Sequence, residues 1–398
     1  MSIESAAELV AGHILEEKYV EVYGHNDADG IAAAGILCQA LVRAGLKFRL
    51  RIVREITEGM LTPGTPSVLC DLGNGSVTVP EDAIVIDHHV PHFTGPYHVN
   101  PNLAGINGEQ NLSAAGASYL VAECMGANQD LVGLVLVGIL GDGQVIAGKN
   151  REIINDGIAE GIINPGRGIP LAGKTLADKF LFSITPFMPG ISGDERAVGE
   201  IIAACGDSAT DAALSRVVLR ISGSLPVDSI ASLWGDTYEL PREAVHGSHD
   251  LTALLDACGK SGEGGLGASI CFRVEESIGQ AWSILTAYRR RVIAALQELR
   301  PQEGQRMVVE IQDPVVISSV ADALLPFGGL IVVMARSGDV YRLTSRCQTD
   351  SSLDLEKLTR DIAREFGGNG GGHHCRAGAI FPAKHVDSVK KRFTEAVV

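Results

Sequence analysis

The stretch that decides the fold reads Tyr-Val-Glu-Val-Tyr-Gly-His-Asn-Asp-Ala-Asp-Gly and spans residues 19–30. Its first five residues predict a β-strand. Three polar side chains then follow at alternate positions: His25, Asp27 and Asp29. Residues 31–44 are rich in Ala and Leu and predict a helix. A strand, a polar turn and a helix in this order are typical of an α/β fold with a parallel sheet.

The pattern continues beyond this stretch. Apolar runs bounded by turn residues predict further strands, and an Ala-rich segment with Ser113 as its N-cap predicts a second helix. These elements cover 48–53, 67–70 and 83–86 for the strands and 113–126 for the helix. Strands separated by helices form a parallel sheet. Ligands of such sheets bind beyond the C-terminal ends of the strands.

Polar residues lie at these ends. Asp71 follows the strand at 67–70, and Asp87-His88-His89 follow the strand at 83–86. Asp142 follows an apolar run at 131–140, which we interpret as one more strand-like element of the sheet. We therefore expect all four clusters, including the one at 25–29, to gather at one edge of the sheet.

Clustered carboxylates repel one another and raise each other's pKa unless a cation neutralises them. Four Asp with two or three His make a poor closed zinc site, which prefers Cys and His in a tetrahedron. The set suits two Mn²⁺ or Mg²⁺ ions that share a carboxylate. Acidic residues at strand ends also form turns and caps, and that reading suffices for any one of them alone. The combination favours metal ligation.

Composition narrows the class of protein. The 398 residues include 45% hydrophobic and 20% charged residues, which excludes a disordered or fibrous chain. A net charge of −15 argues against binding nucleic acid by bulk electrostatics, so local cations must hold any phosphate. The eight Cys form no CxxC pair, which favours reduced thiols in a cytoplasmic protein over a disulfide framework or a zinc cluster.

Neither a targeting segment nor a membrane span is expected. The N-terminal residues carry Glu4, Glu8, Glu16 and Glu17, which is unlike a signal peptide. The run at 131–140 is too short to cross a bilayer. We expect a cytoplasmic protein without a membrane partner.

The chain divides into three regions on these patterns. Residues 1–190 form the α/β domain with the parallel sheet, residues 191–302 a mostly helical middle region and linker, and residues 303–398 a smaller C-terminal α/β domain. The last region predicts strands at 307–311, 330–334 and 341–344, a helix at 354–366, and a glycine-rich loop at 367–372. Backbone amides in such a loop can approach an anion closely.

The chain resembles the DHH phosphoesterases. The residues that match the four motifs of that family are His25-Asn26-Asp27-Ala28-Asp29-Gly30, Asp71, Asp87-His88-His89 and Gly141-Asp142-Gly143-Gln144. Gly370-Gly371-Gly372-His373, with Ala377-Gly378-Ala379 after it, resembles the signature of the DHH-associated C-terminal domain, and Ser345-Arg346 is similar to its Ser-x-Arg element. The segment 254–260, Leu-Leu-Asp-Ala-Cys-Gly-Lys, resembles archaeal RecJ-like single-strand exonucleases, including the type that binds the GINS complex.

The resemblance implies a role for each matching residue. The first metal would be held by His25, Asp27 and Asp71, and the second by Asp29, Asp71, His88 and Asp142. Asp71 would bridge the two ions, and His89, Asp71 and Asp142 would be the catalytic residues. The substrate phosphates would be bound in the cleft between the outer domains by Ser345, Arg346, Gly370, Gly371, Gly372 and His373.

The resemblance also implies a function. The expected activity is a phosphodiesterase with two divalent cations, Mn²⁺ preferred and Mg²⁺ as the alternative, that acts as an exonuclease on single-stranded DNA or RNA in replication or repair. Two alternatives stay open: a hydrolase of short oligonucleotides, pAp or cyclic dinucleotides, and a GINS-binding replication subunit with little catalysis. Strand polarity, sugar preference and oligomeric state do not follow from the sequence.

Overall fold

The structure is a computed structural model that describes residues 1–62, 64–72, 79–80, 82–91, 93–205, 210–299, 307–348 and 351–395. It comprises two compact units. The first unit contains Met1–Arg167 and Asp236–Leu285, and the second contains Gly168–Gly235 and Thr286–Val398. Each unit therefore combines two separate stretches of the chain.

The N-terminal part of the first unit alternates helices and strands as the sequence predicts. Its elements are α1 (Ile3–Glu16), β1 (Tyr19–His25), α2 (Ala28–Arg43), β2 (Lys47–Val53), β3 (Ser67–Cys70), β4 (Ile84–Ile86), β5 (His98–Val99), α3 (Ala114–Met125), α4 (Val132–Gly141) and α5 (Gly148–Ala159). The five strands form one parallel sheet in the order β2-β1-β3-β4-β5. The predicted α/β class with a parallel sheet is confirmed.

The turn between β1 and α2 is built by its own polar residues. Asp27 is the N-cap of α2, and its Oδ1 accepts a hydrogen bond of 2.9 Å from the amide of Gly30. A Cβ on Gly30 would lie 2.5 Å from Cβ of His25, so only glycine lets the helix begin this close to the strand. The turn thereby places His25, Asp27 and Asp29 side by side.

The apolar run at 131–140 is not a strand. Residues Val132–Gly141 form helix α4, and Asp142 is the C-cap of that helix. An uninterrupted apolar run has neither the period of a strand nor that of an amphipathic helix, so its pattern does not distinguish the two. Helix α4 packs against α2, α3 and α5, which accounts for its apolar character on all sides. The prediction that all four clusters follow strands is wrong for Asp142.

The middle of the chain belongs to both units. Its elements are β6 (Asn164–Gly168), α6 (Leu176–Leu181), α7 (Glu195–Ala203), α8 (Thr210–Ile221), α9 (Val227–Ala231), β7 (Gly235–Glu239), α10 (Ser248–Lys260), α11 (Gly264–Cys271) and α12 (Ile278–Leu299). Strands β6 and β7 pair where the chain passes between the units. The middle region expected at 191–302 is thus mostly helical, and its part 236–285 is counted with the first unit. Its expected end at 302–303 lies outside the described residues.

The C-terminal part of the second unit is a mixed sheet with helices. Its elements are β8 (Met307–Glu310), α13 (Ile317–Leu324), β9 (Leu330–Ser337), β10 (Val340–Cys347), α14 (Leu355–Glu365), β11 (Asn369–Gly372), β12 (Arg376–Pro382) and α15 (Val386–Glu395). The sheet order is β11-β12-β10-β9-β8, with β8 parallel to β9 and the other pairs antiparallel.

The glycine-rich segment expected as a loop contains a strand. Gly370 to Gly372 lie in β11, at the edge of the sheet, in register with Ala377 to Ala379 of β12. A Cβ on Gly370 would lie 2.9 Å from the carbonyl oxygen of Gly378, so the close approach of the two strands requires glycine there. Within the part of the chain that the structure describes, no helix is long and apolar enough to cross a membrane.

Helix packing around α4 can be tested with two helical glycines. A Cβ on Gly138 would lie 2.1 Å from Oδ1 of Asp29, whereas a Cβ on Gly12 of α1 meets no atom within 4 Å. We expect Gly138→Ala to lower the free energy of unfolding by about 1–3 kcal/mol through overpacking. The matched control Gly12→Ala is expected to raise it by roughly 0.5–1 kcal/mol. Urea unfolding followed by circular dichroism measures both, and equal stabilities would contradict the packing.

Candidate metal centre

Six side chains converge at one edge of the first unit's sheet. His25 is the last residue of β1, Asp71 follows β3 directly, and His88 comes two residues after the end of β4. Asp27 and Asp29 lie at the start of α2, and Asp142 at the end of α4. The structure therefore brings together all six residues predicted as metal ligands.

The first group consists of His25, Asp27 and Asp71. Nδ1 of His25 lies 2.7 Å from Oδ2 of Asp27 and 3.3 Å from Oδ2 of Asp71. One ligand atom from each of the three residues falls within 4.8 Å of the others. This spacing is suited to holding one ion among a nitrogen and two carboxylate oxygens.

The second group consists of Asp29, His88 and Asp142. Nε2 of His88 lies 2.9 Å from Oδ2 of Asp142 and 3.9 Å from Oδ2 of Asp29. Ligand atoms of these residues also lie within 4.8 Å of one another. Nδ1 of His88 is 2.7 Å from the carbonyl oxygen of Gly108. A proton on Nδ1 would donate to that oxygen and keep Nε2 available as a metal ligand.

Asp71 connects the two groups. Its Oδ2 faces His25, while its Oδ1 lies 3.4 Å from Nε2 of His88. The backbone of Asp71 has φ of 59°, in the left-handed region that Asp enters at a cost of about 1–2 kcal/mol. Its amide donates a hydrogen bond of 2.9 Å to the carbonyl oxygen of Ile86, which holds it in that conformation. The strained backbone aims one carboxylate at both groups.

The charges of this cluster are buried. Burial raises the pKa of Asp29, and the carboxylates of Asp142 and Asp71 raise it further. Burial likewise raises the pKa of Asp71, with Asp27 as the next cause. For His25 and His88 burial lowers the pKa, but the neighbouring carboxylates outweigh it and the net pKa is raised. The cluster therefore attracts positive charge, as protons or as a metal.

A divalent cation fits this arrangement. Oδ1 of Asp71 is buried and has no hydrogen-bond partner among the residues that the structure describes, so this carboxylate oxygen remains available for a cation. The donors are carboxylate oxygens and imidazole nitrogens, without a thiolate. Oxygen-rich sets of this kind suit Mn²⁺ or Mg²⁺.

Asp29 also accepts hydrogen bonds from the start of helix α3. Its Oδ2 accepts a hydrogen bond of 2.8 Å from the amide of Ala114, and its Oδ1 accepts one of 2.9 Å from Ala115. The carboxylate thus accepts hydrogen bonds from backbone amides that have no partner within the first turn of α3, and it also faces His88. A substitution at this residue would alter both the helix and the cluster.

Asp87 is a functional residue that is absent from the set predicted from the sequence. Its Oδ1 lies 2.7 Å from Nδ1 of His89 and accepts hydrogen bonds from the amides of His88 and His89. The pKa of Asp87 is lowered: burial raises it, but His89 reverses this effect. Asp87 therefore orients the His89 ring. Its place at the head of the Asp-His-His run was the available signal.

Two amide side chains also support the centre. Gln144 donates a hydrogen bond of 2.9 Å to the same Gly108 carbonyl that faces His88, and Asn150 donates one of 2.8 Å to Oε1 of Gln144. The sequence showed Gln144 only as the last residue of the Gly-Asp-Gly-Gln motif. Its partners come from segments that are separate in the chain.

A lysine lies beside the first group. Lys260 ends α10 and forms an ion pair of 2.8 Å with Asp256. The pKa of Asp27 is lowered: burial raises it, but His25 outweighs burial, and the charge of Lys260 adds a smaller lowering effect. The preceding residue, Gly259, packs on the turn after β1: a Cβ there would lie 2.3 Å from the carbonyl oxygen of Asn26. The segment 254–260 thus delivers a cation to the edge of the centre.

The predicted substrate residues all lie in the second unit. Arg346 is 8% exposed, and its Nε donates a hydrogen bond of 2.6 Å to Asp322. Ser345 is fully buried, with its hydroxyl 3.0 Å from that of Thr359. His373 follows β11, and its amide donates to the carbonyl oxygen of Arg376. The Ser345 hydroxyl therefore faces Thr359 of helix α14 rather than solvent.

Comparison with known proteins identifies the C-terminal region. Residues 304–398 match the family model of the DHHA1 domain. The chain carries a DHHA1 domain. An uncharacterized protein of Methanocaldococcus jannaschii is 26% identical over 433 residues, covering 99% of this chain and 97% of the relative.

Solved structures share the whole fold. RecJ of Thermus thermophilus in complex with Mn²⁺ aligns with a TM-score of 0.61 at 19% identity, covering 98% of this chain and 53% of RecJ. The chain thus spans about half the length of that RecJ. CDC45 of Entamoeba histolytica aligns with a TM-score of 0.62 at 11% identity and covers 98% of both chains. The chain therefore shares the fold of RecJ, and its residues 304–398 match the DHHA1 domain, as the resemblance implied.

Removal of the connecting carboxylate tests the centre. We expect Asp71→Ala to retain the circular dichroism spectrum and to bind Mn²⁺ on the order of 100-fold more weakly, because both groups lose a ligand. Isothermal titration with Mn²⁺ measures the affinity and the number of sites. Asp156→Ala is the matched control, since Asp156 is an exposed carboxylate on α5 of the same unit. Unchanged Mn²⁺ binding by Asp71→Ala would refute the assignment.

Proposed function

We propose that this chain is a metal-dependent phosphodiesterase that removes nucleotides from the end of single-stranded DNA or RNA. The observation that carries the proposal is Asp71, whose two carboxylate oxygens face the His25 group and the His88 group respectively. Two ions that share this carboxylate would be able to bind one phosphate together. The RecJ-like fold supports the same reaction class.

The metals, when bound, would polarise the phosphoryl oxygens and lower the pKa of an attacking water. His25, Asp27 and Asp71 would hold one ion, and Asp29, His88, Asp142 and Asp71 the other. We expect Mn²⁺ to be preferred, with Mg²⁺ as the alternative. The chain's own contribution is the rigid placement of these ligands at strand and helix ends.

His89 is the candidate for contact with the scissile phosphate. Nδ1 of His89 is held by Asp87 at 2.7 Å, which leaves Nε2 as the nitrogen that we assign to the substrate. Burial lowers the pKa of His89, but Asp87 outweighs it and the net pKa is raised. A protonated His89 can stabilise negative charge on the phosphate or donate a proton to the leaving oxygen.

Phosphate binding by so acidic a chain needs local cations. Lys260 beside the first metal group supplies one, and Arg346 and His373 of the DHHA1 domain supply others on this proposal. Such cationic side chains, together with bound metals, would offset the negative charge of the chain toward a phosphate. Lys260 lies in the segment that resembles the archaeal RecJ-like nucleases, which favours a strand as the substrate over pAp or a cyclic dinucleotide.

A second candidate function is a role as a subunit of a replication assembly, for example one that binds GINS. The fold shared with CDC45 over 98% of both chains favours this alternative. A subunit without catalysis has no need of such a ligand set, whereas all six expected ligand residues lie together at one edge of the sheet. Partner binding and catalysis can also coexist in one chain.

The activity is tested with strands of about 20 nucleotides, longer than the roughly 4–16 nucleotides that one binding fold covers. DNA and RNA are each labelled at the 5′ or the 3′ end and incubated with Mn²⁺, with Mg²⁺ or with EDTA. We expect metal-dependent release of mononucleotides from one end, which also reveals polarity and sugar preference. Hydrolysis of dinucleotides or pAp alone would support the short-substrate alternative. No hydrolysis of any of them would favour the non-catalytic subunit.

Lys260 provides a separate test of phosphate binding. We expect Lys260→Ala to lower kcat/KM for single strands about 10-fold, mainly through KM, because a charge-assisted contact is worth about 1.4 kcal/mol. Its Mn²⁺ affinity should stay close to that of the unsubstituted chain. Lys149→Ala is the matched control, since Lys149 of α5 forms ion pairs with Glu4 of α1 and Glu152 of α5, away from the metal groups. Equal KM values for the two variants would contradict the role of Lys260.

A further inference from the structure

Two cysteines face each other across strands of the DHHA1 sheet. Strand β10 ends at Cys347, and Cys375 immediately precedes β12. The register pairs Arg346 with Arg376, so the next opposite pair is Cys347 with Cys375. The amide of Cys347 donates a hydrogen bond of 3.0 Å to the carbonyl oxygen of Cys375, which extends the antiparallel pairing to these residues.

This register meets the geometric requirement for a disulfide. Opposite residues of a hydrogen-bonded antiparallel pair have Cα atoms about 5.5 Å apart, and disulfides are found at Cα separations of about 4.4–6.8 Å. Opposite side chains also point to the same face of the sheet. The two thiols are thus presented to each other without a change of the backbone fold.

The side-chain contacts agree with the register. Arg346 and Arg376 both approach Asp322, at 2.6 and 3.8 Å, which places the next pair of side chains on the opposite face. There, Sγ of Cys347 lies 3.9 Å from the carbonyl oxygen of Leu353, and Sγ of Cys375 lies 3.5 Å from that of Gln348. Both sulfurs therefore meet the segment that follows β10.

The pair is buried but close to solvent. Cys347 is 2% and Cys375 6% exposed, and the neighbouring His374 is an exposed residue. Access of a small oxidant such as hydrogen peroxide to Cys375 therefore requires opening of the turn at 373–376. Four other buried cysteines, all in the first unit, are Cys38, Cys70, Cys258 and Cys271. None of these four belongs to a described strand pair with a cysteine opposite.

We propose that Cys347 and Cys375 form a site of reversible oxidation by peroxide. The thiolate of Cys375 attacks one oxygen of hydrogen peroxide, the O–O bond breaks, and a sulfenic acid and a hydroxide result. The sulfur of Cys347 then attacks the sulfenic sulfur, the S–O bond breaks, and a second hydroxide leaves. The two thiol protons convert both hydroxides to water, so the thiols are oxidised to a disulfide and the peroxide is reduced to two waters.

The disulfide would tie together two elements that the proposed function uses. Arg346 is adjacent to Cys347, and His373 lies two residues before Cys375. Oxidation would restrict the distance between Arg346 and His373, the two residues that we propose bind the substrate. This consequence rests on the proposed function, whereas formation of the disulfide does not.

The experiment uses the full chain and hydrogen peroxide. After exposure, the protein is unfolded in iodoacetamide, digested without reductant and analysed by mass spectrometry. We expect a linked peptide that contains Cys347 and Cys375 and that disappears after dithiothreitol. Complete alkylation of both residues in peroxide-treated protein would overturn the proposal. Oxidation of the pair no faster than that of Cys38 and Cys70 would also overturn it.

Two variants test whether the linked peptide comes specifically from Cys347 and Cys375. Cys347→Ser should abolish the linked peptide and leave Cys375 as a sulfenic acid that dimedone traps, whereas Cys124→Ser, at an exposed cysteine of the first unit, should leave the linked peptide unchanged. A linked peptide from Cys375 to Cys124 would contradict the assigned pair. If the disulfide forms in a chain that cleaves no strand, the oxidation site stands and the proposed nuclease function fails.

Discussion

Buried carboxylates that lie close together need a counter-charge, and this requirement governs the first unit. Asp29 is fully buried and Asp71 is 3% exposed, yet both face other acidic residues at the same edge of the sheet. Their raised pKa values reflect the cost of leaving these charges uncompensated. Imidazoles and backbone amides offset part of that cost, and cations bound at the two groups would offset the rest. The strand ends and helix ends around the cluster position these imidazoles and backbone amides.

Small residues make the cluster achievable. Helix α2 is buried along nearly its whole length, and glycines on neighbouring elements lie where a Cβ would collide with it. Gly30 and Gly138 bring the backbone within contact distance of His25 and Asp29. Several of the chain's 47 glycines thus have a structural reason in this packing. Tight packing also limits how far the ligands can move, which favours a preorganised centre.

In the DHHA1 domain, strand register rather than strand and helix ends positions the polar motif residues. Its motif residues lie on adjacent antiparallel strands, and the register decides which face each one presents. Arg346 and Arg376 share the carboxylate of Asp322, so their charges are positioned and partly compensated. The glycines of β11 allow a close edge pairing beside them. The face opposite carries the buried hydroxyls and the cysteine pair.

The sequence by itself determined the α/β class, most strand positions, the six metal-ligand candidates and the C-terminal domain. It could do so because strands show a short apolar period and because ligand residues follow them within a few positions. Tertiary structure alone decided the rest. Whether the run at 131–140 is a helix depends on what surrounds it, and the glycine segment pairs only because β12 lies beside it. The roles of Asp87, Gln144 and Lys260 were likewise hidden, because each acts through residues brought near it by folding rather than through a pattern along the chain.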